Sequence, residues 1–407
     1  MSKSTCLQDA RDTILLCGGY QLPDRNASAI RALGTARLLQ TLGYKVYVLG
    51  KLPTSDTSRD INRMLWQANG LPDIECISIN KPTSDFSGRS YVVSADPIEA
   101  FVAKLGAGSV RAILTYNYSA RGTNKVNQFC RQHGIASILD CTEWYGWEGR
   151  NIIRNITRLF GVHIKMRYLT KQAGNVIVAS YFLERFLPKQ HLLKLPFVVD
   201  PNETRWQQGP LPENEQPVFT YSGSPGPGMH KDRLPIMVSA FAKLKQQAHV
   251  FKVNIVGLTE QQYLAVMPEH RNTIERLGDS IQFFGRVAHS ESISLLKSSD
   301  FSVFFRKPNR VANVGFSTKY VEAATLGIPV ISNETSDLAA YLKPGKNGFL
   351  AREFSNTAIE QALTQAVSLS AEERKLMHLR CRKLQPFNYQ HWLSQAESFF
   401  NQLVVRK

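Results

Sequence analysis

Residues 315–332, GFSTKYVEAATLGIPVIS, bring phosphate-binding and hydroxyl-binding groups together in one short stretch. Ser317 and Thr318 are helix-capping types, and Lys319 to Thr325 can run as a helix. Gly327 stops it, and Ile328 to Ser332 reads as a buried strand. The first turn of a helix carries unpaired N–H groups and a partial positive charge, which suit a phosphate. Lys319 adds a mobile cation there, and Glu322 follows three residues later on nearly the same face. Amides and a cation for phosphate, with a carboxylate for hydroxyls, match the groups of a sugar nucleotide. By pattern alone, an ordinary αβ unit with a solvated Lys–Glu pair fits as well.

Three other segments carry candidate chemistry. The first βα turn, CGGYQLPDRNAS at 17–28, lets Gly18 and Gly19 turn the backbone sharply where ligands bind such sheets. It lacks G-x-G-x-x-G, no acidic residue follows some 20 positions on, and no P-loop motif occurs. A nicotinamide-dinucleotide fold and a P-loop ATPase are therefore not expected. The loop SGSPGPGMHKDR at 222–233 places Gly223 and two further glycines ahead of His230, Lys231 and Arg233. It suits a diphosphate cradle, or equally a solvated loop. The segment ILDCTEWYGWEGRN at 138–151 sets Asp140, Glu143 and Glu148 among Trp144, Tyr145 and Trp147, as a sugar site does. Arg150 to Gln172 then has six basic residues and no acidic one. Arg150, Arg154 and Arg158 share one helical face, with Ile152, Ile156 and Leu159 on another. That pattern suits a helix lying on an anionic membrane, or a core helix with a solvated basic face.

The elements that must hold these residues alternate almost throughout. Strands are expected at Thr13–Cys17, Lys45–Leu49, Arg111–Thr115, Ser137–Leu139 and Val176–Ala179, with helices between them. A Pro-, Gln- and Asn-rich break at 200–217 reads as an interdomain linker. Alternation restarts with strands at Val218–Ser222, Lys252–Val256, Ile281–Phe284, Phe301–Phe305 and Pro329–Ser332. The last helix, roughly Tyr389–Val404, is amphipathic. With 407 residues and 43% hydrophobic content, the chain fits two globular domains. It has no run near the roughly 20 apolar residues of a membrane span. The start lacks a signal-peptide run, so a cytoplasmic protein is expected. Six scattered cysteines without metal-ligand spacing are expected as free thiols. The net charge of +16 calls for an anionic partner without choosing among nucleic acid, lipid surface and phosphorylated substrate.

Taken in order, YSGSPG with Lys231, VNIVG at 253–257, FFGRVAHSESISLLKSSDFSVF at 283–304, VEAATLGIPVIS and PGKNGFL at 344–350 resemble the retaining glycosyltransferases of family 4. In the first half the likeness is weaker, resting on the Gly18-Gly19 loop with its helix and on NVIVASYF at 175–182. The resemblance implies an α/β GT-B fold. Two Rossmann-like parallel-sheet domains would face a cleft, with a C-terminal helix returning to the first domain. An acceptor-side domain would span 1–199, a linker 200–217, a nucleotide-sugar domain 218–385, and the returning helix 386–407. It further implies that Glu322 holds the ribose hydroxyls, that Ser317, Thr318 and Lys319 meet the diphosphate, and that Lys231 neutralises it. Arg286 and Val287 would contact the base through backbone. Glu143 stands with Lys231 and Glu322 as a candidate catalytic residue, while Gly18, Gly19 and Gly223 line ligand loops.

The family pattern is broken in three places. Val314 stands eight positions before Glu322, where a second glutamate is usual. No arginine lies at 224–228, leaving Arg233 or Arg286 to substitute. The family's first-domain histidine has no counterpart near Tyr116–Tyr118 or Asp140–Glu143.

The implied function is transfer of a sugar from a nucleotide sugar to a glycan or lipid-linked acceptor in cell-surface polysaccharide synthesis, at the cytosolic membrane face. No separate cofactor is implied, and the absence of Asp-x-Asp in a metal-binding context fits metal independence. Cleft closure would exclude water. The alternative is a GT-B-like module that binds glycan or partners without turnover. Nucleic-acid binding is not expected, because the aromatics cluster with acids rather than with Arg and Lys.

Overall fold

The structure is a computed structural model, and it describes residues 11–52, 63–68, 71–79, 90–144, 146 and 152–406. The chain divides into two compact units, residues 1–200 with 389–407, and residues 201–388.

In the first unit the strands are β1 (Thr13–Gln21), β2 (Lys45–Lys51), β3 (Arg63–Ala68), β4 (Leu71–Ser78), β5 (Val110–Tyr116), β6 (Ala136–Cys141), β7 (Gly174–Val178) and β8 (His191–Lys194). They form one sheet in the order β3-β4-β2-β1-β5-β6-β7-β8, parallel except for the β3–β4 pair. The central strands are buried on both faces, so they read as unbroken apolar runs rather than alternations. β3, β4 and β8 do not announce themselves in this way, because they lie toward the sheet edges and carry polar residues.

The chain end belongs to this unit. Helix Leu393–Asn401 buries Ala396, Phe399 and Phe400 in the core formed with Ile14, Leu33, Leu38 and Val46. Asn175 fastens the chain beyond this helix: its amide donates to the Val404 carbonyl (2.8 Å) and its oxygen accepts from the Val404 N–H (2.8 Å). The helix is shorter than the amphipathic pattern from Tyr389 to Val404, since Tyr389–Trp392 is a 3-10 turn.

The second unit contains β9 (Val218–Ser222), β10 (Lys252–Val256), β11 (Ile281–Gly285), β12 (Phe301–Val303), β13 (Val330–Asn333) and β14 (Gly348–Ala351). Their order is β11-β10-β9-β12-β13-β14, all neighbours parallel. Phe219, Phe241, Phe251 and Phe301 pack ring against ring at its centre. The stretch 200–217, expected as a linker, is strapped onto this unit. Trp206 is buried, Arg382 donates to the Gly209 and Pro210 carbonyls, and Asn214 donates to Asp300 (2.9 Å). Its lack of apolar periodicity reflects backbone-to-side-chain anchoring rather than freedom.

Candidate active site

The carboxyl ends of β9, β12 and β13 bring four residues of the second unit into one charged cluster. Lys319 reaches Asp232 with Nζ–Oδ2 at 2.7 Å, and Arg306 Nε donates to the other carboxylate oxygen at 2.7 Å. Tyr221, on β9, donates its hydroxyl to Asp232 at 2.9 Å. Burial alone pushes the Asp232 carboxyl up, but the adjacent Lys319 and Arg306 outweigh it and hold the group well below the usual carboxylate range. Two cations therefore face one carboxylate, leaving a buried surplus of positive charge.

Glycines let this cluster form. Gly223 follows β9 at φ +132°, and a Cβ there would lie 2.7 Å from Lys319 Nζ. Gly257, after β10, closes on the Gly223 carbonyl, which a Cβ would meet at 2.2 Å. The backbone at the strand ends thus comes as close to the lysine as a main chain can. Lys319 was expected as a mobile cation. It is instead buried, 8% exposed, and fixed by Asp232.

Helix Thr318–Thr325 starts here, with Ser317 at its cap. Ser317 caps nothing with its side chain: its buried Oγ has no hydrogen-bond partner. A buried hydroxyl beside a helix start and a lysine is arranged for an incoming acceptor atom such as a phosphate oxygen. One turn on, the partly exposed Glu322 has Oε1 3.8 Å from His289 Nε2, and the His289 ring stands edge-on to Trp206. Val314 is fully buried at the end of helix Arg310–Val314, so an apolar contact takes the place of the second glutamate. Among the described residues, no group of three or more His, Cys, Asp or Glu is placed to hold a metal ion.

The remaining expectations fare differently. Lys231 is exposed in the loop after Gly223, its N–H donating to the Pro225 carbonyl (3.0 Å). Arg286 is exposed and Val287 half-buried just beyond β11. Neither Arg233 nor Arg286 supplies the arginine of the charged cluster; Arg306 does. Asp232 sits inside the 222–233 loop beside Lys231, but its partner Arg306 lies 74 residues further on and outside any motif, so the pair was missed. Arg306 directly follows the buried run FSVFF, and that position at a strand end is the signal that would have found it.

In the first unit, Gly18 and Gly19 do not make the expected turn. Both lie inside β1, which continues to Gln21. A Cβ on Gly18 would meet the Tyr20 ring at 2.5 Å, and that ring stacks on Tyr116 (5.5 Å). Gly18 thus makes room for a tyrosine, and nothing places either glycine on a nucleotide. Asp140 is engaged with Arg31, which donates from two nitrogens at 2.8 Å each. Trp144 is buried edge-on against Phe186 and offers no face for stacking. Glu143 accepts from Asn117 Nδ2 at 3.0 Å, beside the carboxyl end of β5. Nearby, the half-buried Lys165 begins a π-turn, Lys165–Leu169, and donates to the Tyr118 carbonyl at 3.1 Å. Burial pulls its amine down from the usual lysine value, with Cys141 and Glu143 opposing. Tyr145, Trp147, Glu148 and Arg150 lie outside the described residues.

Of the two arrangements open for the basic helix, a core helix with a solvated basic face is not the one that forms. Helix Ile152–Ile164 exposes Ile152, Ile153, Ile156 and Phe160, with Ile153 at 78% and Phe160 at 67%. Arg158 faces the protein, where its guanidinium donates to the Gly146 carbonyl. The Arg154 side chain lies outside the described residues. Among the described residues no helix is long and apolar enough to cross a membrane.

The family model described as Glycosyl transferases group 1 matches residues 203–382, the span holding Lys231, Asp232, Arg306, Lys319 and Glu322. No curated protein sequence matches the chain. Among solved structures, sucrose-phosphate synthase from Thermosynechococcus elongatus superposes with a TM-score of 0.69 at 17% identity, over 97% of this chain and 99% of that one. HepE of Anabaena, solved with UDP and glucose, gives 0.61 at 15% identity over 97% and 100%. WaaG, a glycosyltransferase involved in lipopolysaccharide biosynthesis, gives 0.62 at 13% identity over 96% and 100%. At such identities the superpositions speak for the fold, and the family match speaks for the domain that carries the cluster. Residues 203–382 thus carry a domain that matches the group 1 glycosyl transferase family, and the chain as a whole has the GT-B fold.

Proposed function

We propose that the chain moves a sugar from a nucleoside-diphosphate donor to a glycan or lipid-linked acceptor, with retention and without a metal ion. The observation that carries this reading is the surplus positive charge of Lys319 and Arg306 around Asp232, set against Gly223 and the start of helix Thr318–Thr325. Breaking the anomeric C–O bond leaves a diphosphate with growing negative charge. Pre-aligned cations and amides stabilise that charge without reorganising at the moment of reaction. The unpartnered Ser317 hydroxyl is a further donor toward it. Exposed Lys231 can add a third cation from the loop, and Glu322 can accept from ribose hydroxyls.

The direct test is donor hydrolysis or transfer across a panel of nucleotide sugars for wild type, Glu322→Ala and Lys231→Ala. Loss of a charged hydrogen bond in Glu322→Ala should raise the donor KM roughly tenfold or more. Full activity in both variants with every donor accepted by wild type would remove this site assignment. Val314 favours a second reading, binding without turnover, because a buried valine stands where a sugar-contacting acid is expected. A folded sample that binds no nucleoside diphosphate by calorimetry would support that reading.

The acceptor side and the membrane belong to the first unit in this proposal. Glu143, held by Asn117, and Lys165 stand near one another beside the carboxyl ends of β5 and β6. Helix Ile152–Ile164 presents four large apolar side chains to solvent in a stretch rich in Arg and Lys. Burying such side chains in an interface gains about 1.5–3 kcal/mol each, and flanking cations favour anionic headgroups. The double variant Ile153→Asp/Phe160→Asp should therefore lose roughly tenfold or more of its sedimentation with anionic vesicles. Unchanged sedimentation would overturn the membrane assignment. These exposed side chains support the reading that the acceptor is a lipid-linked or cell-surface glycan at the cytosolic face of a membrane.

A further inference from the structure

Behind helix Thr318–Thr325, away from its N-terminal cluster, the second unit has a cavity of about 680 Å³. That volume lies within the usual range for small-molecule sites. Its inner wall is apolar: Tyr320 and Ala324 from the helix, Ile328 and Val330 leading into β13, then Tyr341 and Cys381. Lys343, Lys346, Arg380 and Lys383 also line it, all four are exposed, and no acidic residue lines it. Among the described residues no carboxylate pairs with any of the four; Lys343 donates to the Ala339 carbonyl instead.

Four cations without acidic partners around an apolar hollow are costly to leave self-repelling, and they match one kind of ligand: an apolar chain carrying an anionic head. The mouth widens this match, because Leu384 lines the cavity yet is half exposed, and Leu376 and Leu379 on the same helix, Ala371–Leu384, are exposed as well. A nucleoside or free sugar would leave the apolar wall unused, and an uncharged apolar ligand would leave the cations unanswered. We propose that this cavity binds the acyl chain of an anionic membrane lipid, its phosphate headgroup held by Lys343, Lys346, Arg380 and Lys383. The site is separate from the donor cluster, and it stands whether or not the donor reading does. Through Tyr320 and Ala324, its occupant touches the helix that also carries Lys319.

The probe is a lysophosphatidylglycerol used below its micelle concentration, titrated calorimetrically into the full chain. Three variants accompany it: Ala340→Trp at the exposed mouth, the pair Lys343→Glu/Lys383→Glu at the rim, and Ile153→Asp/Phe160→Asp in the first unit. Wild type and the first-unit variant should bind alike. The mouth and rim variants should bind roughly tenfold or more weakly, as expected from losing chain burial or reversing two charges. Circular dichroism and thermal melting of each variant separate lost binding from lost folding. Equal affinity in the mouth and rim variants, or no wild-type binding, overturns the proposal. So does equal affinity for lysophosphatidylcholine, which removes the headgroup role, or equal affinity for glycerol phosphate, which removes the chain.

Discussion

Lys319→Met is expected to lower kcat by about two to three orders of magnitude while leaving the second unit folded. The lysine is the cation nearest Gly223, with Nζ 2.7 Å from Asp232 and 5.2 Å from the centre of the Tyr221 ring. Methionine keeps much of the buried stem volume and removes the charge. Asp232 then remains paired with Arg306 and with the Tyr221 hydroxyl, so no buried ion is abandoned. What disappears is the excess positive charge, which has value only as the leaving diphosphate gains its own. Stabilisation that grows toward the transition state shows mainly in kcat, whereas uniform donor binding shows in KM. Steady-state donor hydrolysis, paired with thermal melting, separates the two roles. A variant with wild-type kcat and a lowered melting temperature would make Lys319 a structural residue only. Lys319→Arg is not expected to rescue, since the space beside Gly223 already holds Lys319 Nζ closely and a guanidinium is larger.

Much of this architecture is legible in the sequence, and the reason is burial. β9 and β10 are read to the residue, Val218–Ser222 and Lys252–Val256, because buried Phe219 and Tyr221, and buried Val253 and Ile255, recur at strand spacing between polar breaks. Helix Thr318–Thr325 is legible for a different reason: the residue types at its start, its Gly327 stop and the strand after it are all local. Long-range choices leave no such trace. Nothing in the spacing says that Lys319 spends its charge on Asp232, or that Arg306 completes the pair. Gly18 misleads because a glycine that admits a neighbouring ring looks the same as one that admits a ligand. Helix Ile152–Ile164 stays open between two readings for a related reason. An amphipathic pattern tells which residues share a face but not which face meets the protein, and here the isoleucines face outward.

Asp232→Asn should destabilise the second unit by about 3–5 kcal/mol, the usual cost of leaving buried charge unpaired. Here two cations lose one common partner, and the amide nitrogen that replaces a carboxylate oxygen presents donors to donors. Trp206 reports on this unit: it is buried, and it is the sole tryptophan among residues 201–388. Urea unfolding followed by its fluorescence gives the stability difference. The pH dependence has a fixed sign. The folded-state carboxyl is depressed below its ordinary value of 3.8, so the pairing contributes fully above that value and is lost as pH falls further. The gap between wild type and Asp232→Asn should therefore be flat from about pH 5 to about pH 8 and narrow only below about pH 4. The same variant should lose donor turnover with its stability, because Asp232 sets where both cations stand. Retained turnover in a destabilised Asp232→Asn would mean that Lys319 and Arg306 find the diphosphate without it, with the ligand itself serving as their counter-ion.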